Sequence, residues 1–258
     1  MTEKSIGFIG GGRITRIFLE AFRRSRAVFR EIVVSDPETN RLADLQAGFP
    51  EIHISPTNAG PAAKDYVFAA VHPPVLAQAL REISSFLTEE AIVISLAPKI
   101  PIRTMSESLA GFSRIVRMIP NAPSLIQEGY NPVYFSSGLS ARDKSELMEV
   151  LRIFGECPEV PEEDLEAYAV LAAMGPTYFW FQWLELERLG RSFGLSAEDA
   201  RRALGKMTEG AVKTLFSSGL SAERVLDLIP VKPLEGDQDA IRQIYASRLE
   251  PLFKKLKA

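Results

Sequence analysis

Through the first 160 residues, short apolar runs alternate with stretches in which apolar residues recur every three or four positions. SIGFIG (5–10) is an apolar run ending in glycines, and RITRIFLEAFRRSR follows with Ile14, Ile17, Phe18 and Phe22 at helical spacing. EIVVSD (31–36) reads as a second strand, and PETNRLADLQAG as a helix opened by a proline and closed by Gly48. A weak strand is expected near 52–54, a polar turn over 55–61, and a strand at YVFAAV (66–71). PPVLAQALREISSFL then reads as helix, and AIVISLA (91–97) and SRIVRMI (113–119) as strands. NPVYFS, ARDKSELMEVLRIFG and ECPEV complete this half as strand, helix and strand. Apolar strands separated by amphipathic helices predict a parallel sheet covered on both faces.

Beyond Pro161 the strand signal stops. Helices are expected over 162–191, 196–217, 221–228 and 234–257, with Ser196 and Ser221 at helix starts and Gly194, Gly219 and Pro230–Pro233 as punctuation. The expected class is α/β, a Rossmann-type doubly wound parallel sheet over 1–160 followed by an all-helical domain over 161–258. Residues 167–184 carry no charge and approach the length of a membrane span. Gly175-Pro176 interrupts them, however, and Glu185, Glu187 and Arg188 follow at once. A kinked helix buried in a bundle or a subunit interface is expected instead.

Composition narrows the partners. With 46% hydrophobic and 24% charged residues, the 258-residue chain can bury a core. A formal net charge of −3 supplies no footprint for nucleic acid or an anionic membrane. The single cysteine, Cys157, excludes an internal disulfide, and with only two histidines no metal site is expected. The first strand begins near Ser5, which leaves no room for a signal peptide, so the cytoplasm is the expected location.

The sharpest chemical signal is Gly10-Gly11-Gly12-Arg13-Ile14-Thr15, between the first strand and the first helix. Gly10 permits a tight turn, and Gly12 lets the backbone approach a pyrophosphate at the positive helix N-terminus. The third small position is Thr15 rather than glycine or alanine. At the end of the second strand, Asp36 lies 26 residues past Gly10, against the usual ~20 for a ribose-binding carboxylate. Two readings of Asp36 stand side by side: an acceptor for ribose hydroxyls, and a cap for the helix that begins at Pro37. Ser35, Arg13 and Arg41 can serve a 2′-phosphate, so NADP(H) and NAD(H) both remain open.

Taken with later segments, the chain resembles the pyrroline-5-carboxylate reductases over nearly its whole length. IGFIGGGRIT resembles the family's opening IGFIGxGNMA, AAVHPPVL its AVKPQ segment, and RIVRMIPNAPSLIQEG its RVMPNTPxxxxEG signature. AAMGPTYFWFQWLELERLGRSFGL resembles the GSGPAY helix, and EGAVKTLFSSGLSAERVLD the GAAKMLxxSGxxPxxLxD stretch. The resemblance implies hydride transfer from NAD(P)H to the C=N carbon of a small cyclic imine. It also implies a homodimer, with higher assembly open, whose helical domains interlock. Carried over residue by residue, Gly10, Gly12, Arg13 and Ile14 face the pyrophosphate. Ser35, with Asp36 beside it, faces the adenosine ribose or its phosphate, and Asn58 the adenosine. Val71, His72 and Pro73 line the strand ends, and Ala97 and Asn121 lie near the nicotinamide. Asn121, Met174, Gly175 and Thr177 fall to the substrate, with Thr177 and His72 as the groups nearest the chemistry.

The departures concentrate on the substrate side. Where the family holds a carboxylate with SPGGTT, this chain reads Pro230-Val231-Lys232-Pro233-Leu234-Glu235, without glycine or hydroxyl and with two backbone donors removed by proline. Lys232 can hold a carboxylate as a point charge or point into water. His72 stands where the family has lysine, either as a proton or hydrogen-bond donor or as a plain loop residue. Pro98-Lys99 replaces Ala-Gly and tightens the loop after the fifth strand, and Met174 replaces a serine. Deazaflavin-dependent NADP reductases share the first domain's pattern, but not MIPNAP or the long second half. Two alternatives follow: a reductase of a different imine or carbonyl compound, and a low-turnover NAD(P)H-binding regulator.

Overall fold

The computed structural model describes residues 4–257. In chain order, its first unit runs β1 (Ser5–Ile9), α1 (Arg13–Ser25), β2 (Glu31–Ser35), α2 (Thr39–Gly48), β3 (His53–Ser55), α3 (Ala59–Ala62), β4 (Tyr66–Ala69) and α4 (Pro73–Ile83). It continues with β5 (Ile92–Ser95), α5 (Ile102–Ser108), β6 (Ile115–Met118), β7 (Gly129–Tyr130), β8 (Val133–Phe135), α6 (Ala141–Leu151), β9 (Gly155–Glu156) and α7 (Leu165–Tyr168). Among the described residues, seven strands form one sheet in the order β3-β2-β1-β4-β5-β6-β8. The first six are parallel, and β8 pairs antiparallel to β6. The expected all-parallel sheet is therefore corrected at one edge, where β6 returns to β8 through a loop that holds a 3-10 turn (Ala122–Ile126) and β7 rather than an α-helical crossover. Strand order reverses between β1 and β4, and that reversal opens a crevice at the strands' carboxyl ends.

The strands read as unbroken apolar runs because both faces are covered. On one face Phe8, Phe18, Phe68 and Phe154 pack together, with Phe18 stacked on Phe154 at 3.8 Å. On the other, Val67, Leu76, Leu80, Val93, Met105 and Ile115 close the second core. Helix α5 has no counterpart in the sequence-based expectation: its sequence IRTMSES buries only Met105 and gives little periodic signal. The helix expected over 162–191 is not continuous. A 3-10 turn (Glu162–Asp164), α7 and a π-helical segment (Ala169–Ala173) come before the break at Gly175-Pro176. Pro176 lacks an N–H and sits at the first turn of the next helix, where that donor is not needed.

The described chain divides into two compact units, residues 4–174 with 252–257, and residues 175–251. The change of pattern at Pro161 falls inside the first. The second unit contains α8 (Pro176–Ser192), α9 (Ala197–Ser217), α10 (Ala222–Asp227) and most of α11 (Gln238–Lys257). The hydroxyls of Ser196 and Ser221 accept the N–H groups of Asp199 and Arg224, so both serines cap helices. The last helix begins at Gln238 rather than Leu234, behind a 3-10 turn over Glu235–Asp237.

The second unit buries almost nothing within one chain. Phe181 is 66% exposed, Phe193 79%, Phe216 78% and Ile229 67%, and Ala200 is its only buried apolar side chain among the described residues. Of the two settings expected for 167–184, burial within the chain holds only in part: Ala169 and Val170 are buried, whereas Leu171, Trp180 and Leu184 lie open. No helix among the described residues is long and apolar enough to cross a membrane.

Candidate functional site

The glycine loop follows β1 and is held from three directions. Gly10 adopts φ +102°, and a Cβ there would lie 2.7 Å from the carbonyl oxygen of Ala70, so only glycine fits without strain. The Thr15 hydroxyl, fully buried, donates to the Gly10 carbonyl at 2.5 Å. This explains the departure from a third glycine or alanine: threonine clips the turn onto the helix it opens. The N–H of Gly11 donates to Asp36 at 2.8 Å. A Cβ on Gly12, in contrast, would meet nothing within 4 Å. Gly12 heads α1 without a side-chain cap, and the first-turn N–H groups that follow, those of Arg13 and Ile14, have no acceptor within the helix. The open face at Gly12 and these donors make a cradle for an anionic group.

Beside it lies a cavity of about 450 Å³ whose lining includes Gly10, Ser35, Asp36, Asn58 and Val71. Ser35 ends β2 and Val71 lies two residues beyond the end of β4, on either side of β1, as the reversal of strand order requires. Along its wall the Ser35 hydroxyl donates to Asn58 Oδ1 at 2.7 Å, and Asn58 Nδ2 donates to Glu82 at 2.9 Å. Gln78 donates to the other oxygen of Glu82. The sequence reading singled out neither Glu82 nor Gln78; both lie one turn apart on α4, a spacing that reads as an ordinary solvated face.

The cap reading of Asp36 changes. Its carboxylate takes N–H groups from Gly11 and Glu38, and the Arg41 guanidinium at 2.9–3.0 Å on both oxygens. Arg41 reaches both oxygens through one nitrogen, Nη1. Asp36 does not cap α2, whose cap position is Glu38. The hydrogen bond to Asp36, then its charge, raises the pKa of Arg41.

The remaining expected residues distribute as follows. His72 is exposed and stands before α4 without capping it, and Pro73 is the first residue of that helix. Ala97 is buried beyond the end of β5. Asn121, buried beyond the end of β6, accepts the Tyr130 N–H on Oδ1 at 3.3 Å, which turns its Nδ2 into the donor end. Its backbone N–H donates to Asn131, a fully buried residue that also accepts from Ser124 and donates to the carbonyl of Phe154. Asn131 thus orients the turn that carries Asn121. Sequence gave no hint of it, because its partners come from two separate segments, 121–124 and 154.

In the second unit, Thr177 lines an apolar cavity of about 480 Å³ with Tyr178, Phe181, Ile241, Ile244 and Tyr245. Lys232 lies on an exposed loop away from that lining. Met174 ends the first unit and Gly175 opens the second. Among the described residues, no group of three or more His, Cys, Asp or Glu side chains is placed to hold a metal ion.

A family model described as "NADP oxidoreductase coenzyme F420-dependent" matches residues 5–99, the nucleotide half of the sheet. Similarity to another group spans far more. The pyrroline-5-carboxylate reductase of Escherichia coli (strain K12) is 24% identical over 228 residues, 88% of this chain and 85% of the relative. That of Methanosarcina acetivorans is 27% identical over 232 residues, 89% of this chain and 85% of the relative. The crystal structure of Plasmodium falciparum pyrroline carboxylate reductase with NADP bound matches at a TM-score of 0.84 and 20% identity, covering 100% of this chain and 98% of that one. The chain is thus similar to pyrroline-5-carboxylate reductases over most of its length. Against the pyrroline-5-carboxylate reductase pattern, the Lys99 departure has a visible consequence. Lys99 adopts φ +79°, a conformation natural to the family's glycine and strained for lysine.

Proposed function

We propose that the chain is an NAD(P)H-dependent reductase that transfers hydride to the C=N bond of a small cyclic imine. Pyrroline-5-carboxylate, for which its relatives are named, is the first substrate to test. The observation that carries this reading is the open, donor-lined face at Gly12 beside the cavity at the β1/β4 reversal. A nicotinamide cofactor supplies the hydride when bound; the imine carbon receives it, and the nitrogen takes a proton as the double bond becomes single. The chain's own task is then positioning, electrostatics and exclusion of water. The α1 N-terminus with Gly12, Arg13 and Ile14 holds the pyrophosphate. Ser35 and Asn58 hold the adenosine end, with Val71, His72 and Pro73 along the strand ends. Ala97 and the donor end of Asn121 face the nicotinamide side. Thr177, Met174, Gly175 and Lys232 are assigned to the substrate by resemblance, and His72 and Thr177 are the first side chains to replace in search of the proton source.

NADPH is favoured over NADH because the Asp36 carboxylate is already engaged by two backbone N–H groups and Arg41, so ribose hydroxyls would have to compete for it. The working form is a homodimer joined through the helical unit. Exposed Trp180, Phe181, Phe193 and Phe216 support it, because a monomer would leave far more apolar side chain in water than a stable fold tolerates. A cytoplasmic location suits the single thiol, Cys157.

The deciding experiment is pyrroline-5-carboxylate-dependent oxidation of NADPH by the purified protein. Turnover proportional to enzyme supports the reading. A protein that binds NADPH and leaves the substrate untouched overturns proline-type chemistry. It would favour the second reading, a substrate without an α-carboxylate, for which the hydroxyl-free Pro230–Glu235 loop speaks.

A further inference from the structure

Arg117 stands in the middle of an apolar strand, and its side chain is 2% exposed. A buried guanidinium is costly unless it is paired. Two carboxylates do so from contiguous helical turns, four residues apart and therefore on one face. Glu166 Oε1 accepts Arg117 NH2 at 2.5 Å, and Glu162 Oε1 accepts Arg117 NH1 at 3.2 Å.

Each of those oxygens also accepts a backbone N–H from the loop that leaves β5. Lys99 N donates to Glu166 Oε1 at 2.9 Å, and Ile102 N donates to Glu162 Oε1 at 2.7 Å. One buried arginine on β6 thus fixes two carboxylates, and they hold the loop at both ends. The left-handed backbone of Lys99 is the strained point of that loop, and Glu166 bonds to that residue's own N–H. The Lys99 ammonium is held in turn by the carbonyl of Lys255 at 3.3 Å.

Strand order says what the loop faces. The adenosine cavity lies over β2, β1 and β4. A dinucleotide that begins there and crosses the switch point places its other end over the carboxyl ends of β5 and β6, where this loop and Asn121 sit.

We propose that Arg117, Glu162 and Glu166 are positioning residues that hold the Ala97–Ile102 loop, with its strained Lys99, in the shape that receives the nicotinamide half of the cofactor. This rests on the reading of the chain as a nicotinamide-dependent reductase. None of the three is assigned contact with substrate or cofactor; they act through the loop backbone. Replacing Glu166 by glutamine removes the charge while keeping size. The loop then loses its charge-assisted hold, and the lysine relaxes away from positive φ. Glycine at position 99 adopts that φ at no steric cost, so it removes the need for the hold.

The test is binding, read by fluorescence and calorimetry, of two probes to the wild-type protein, Glu166→Gln, Lys99→Gly and the double variant. NADPH spans both halves of the cleft, whereas 2′-phospho-ADP-ribose carries only the adenosine end and the pyrophosphate. Glu166→Gln is expected to weaken NADPH by about tenfold. The 2′-phospho-ADP-ribose affinity is expected to hold within about twofold, and adding Lys99→Gly to restore NADPH binding. Equal weakening of both probes, or no weakening of either, would overturn the proposal. If Glu166→Gln does not fold, Glu162→Gln replaces it, since it releases the other end of the same loop and carries the same two-probe expectation. Wild-type protein that binds 2′-phospho-ADP-ribose but gains nothing from the nicotinamide overturns the proposal alone. Wild-type protein that binds neither probe overturns the reductase reading with it.

Discussion

The carboxylate of Asp36 accepts the backbone N–H of Gly11 at 2.8 Å, tying the tip of β2 to the middle of the glycine loop. The same side chain, 3% exposed, is held by Arg41 and by the N–H of Glu38. A position expected to face the ribose thus also binds the backbone of the glycine loop. Asp36→Asn turns an amide N–H₂ toward donors and leaves one of them unsatisfied. It is expected to destabilise the fold by about 1–3 kcal/mol. NADPH and NADH affinities should fall by a similar factor, because no ribose contact is lost. Urea melts and parallel titrations with both nucleotides check this, and a loss confined to NADH would show that the carboxylate reads the ribose after all.

Gly10 and Gly12 separate backbone need from ligand space. Gly10→Ala puts a Cβ 2.7 Å from a carbonyl oxygen at φ +102°, and is expected to cost about 1–3 kcal/mol of stability. Gly12→Ala meets no protein atom within 4 Å, so its expected cost is no more than about 1 kcal/mol, from the weaker cap. The methyl group nevertheless occupies the approach to the α1 N-terminus, and NADPH affinity should drop by about tenfold or more. Thermal melts alongside fluorescence titration distinguish the two variants. Equal affinity in wild type and Gly12→Ala would place the pyrophosphate elsewhere.

The sheet was legible in the sequence because its strands are covered on both faces and read as unbroken apolar runs, as YVFAAV and AIVISLA do. The antiparallel turn of β8 was not, since an edge strand of three residues carries no mark of its direction. The glycine loop announced itself through backbone demands that only glycine meets. The Arg117 network did not: the acidic run at 162–166 looks like solvated charge at a helix start. Its single signal was an arginine inside SRIVRMI, because a buried charge requires partners. Asn131 and Asn121 meet only through the tertiary fold. The uncharged stretch 167–184 was legible as interface or core, and a single chain leaves its Trp180, Phe181 and Leu184, like Phe193 and Phe216 further on, as an open apolar girdle.

That open girdle carries its own consequence. Phe181 is 66% exposed on α8, beside Thr177 and Ile241 in the lining of the same cavity. If a second copy covers this surface, Phe181→Glu places an unpaired charge in the interface, at a cost of several kcal/mol. The variant is expected to run at half the wild-type mass in light scattering at micromolar concentration and to melt at a lower temperature. An unchanged mass would remove α8 from the interface.

Cys157 is 6% exposed, and its thiol contacts the carbonyl of Leu151 at 3.3 Å. Burial pushes its pKa up to about 12, against a smaller opposing effect from Asn131 and Arg152. The thiolate is the reactive form, so an aromatic disulfide reagent at pH 8 should react at least about a hundredfold more slowly with native protein than with protein in denaturant. Reaction at the denatured rate would mean that the β9 segment opens readily, and the Asn131 turn with it.

Acid stability turns on Asp143 and Arg114, whose side chains meet at 3.0 Å through both guanidinium nitrogens. The hydrogen bonds from Arg114 come first in holding the Asp143 carboxyl well below the usual carboxylate range; burial opposes them, and the Ser140 hydroxyl and N–H add to them. The folded pKa lies below the unfolded value of about 3.9, so the unfolded chain takes up a proton first as pH falls. The pair's stabilisation is therefore complete above about pH 5 and is lost progressively below the unfolded pKa, toward the folded one. Charged hydrogen bonds of this kind contribute about 1.5–3 kcal/mol. Asp143→Asn should be less stable than wild type by roughly that amount at pH 7 and lose less on acidification, so the gap between the two stability curves narrows as pH falls below about 4. Asp143 also caps α6 through Ser140, and that contribution survives in part in the amide. Parallel curves from pH 7 to pH 2 would show that the ion pair adds nothing to the folded state.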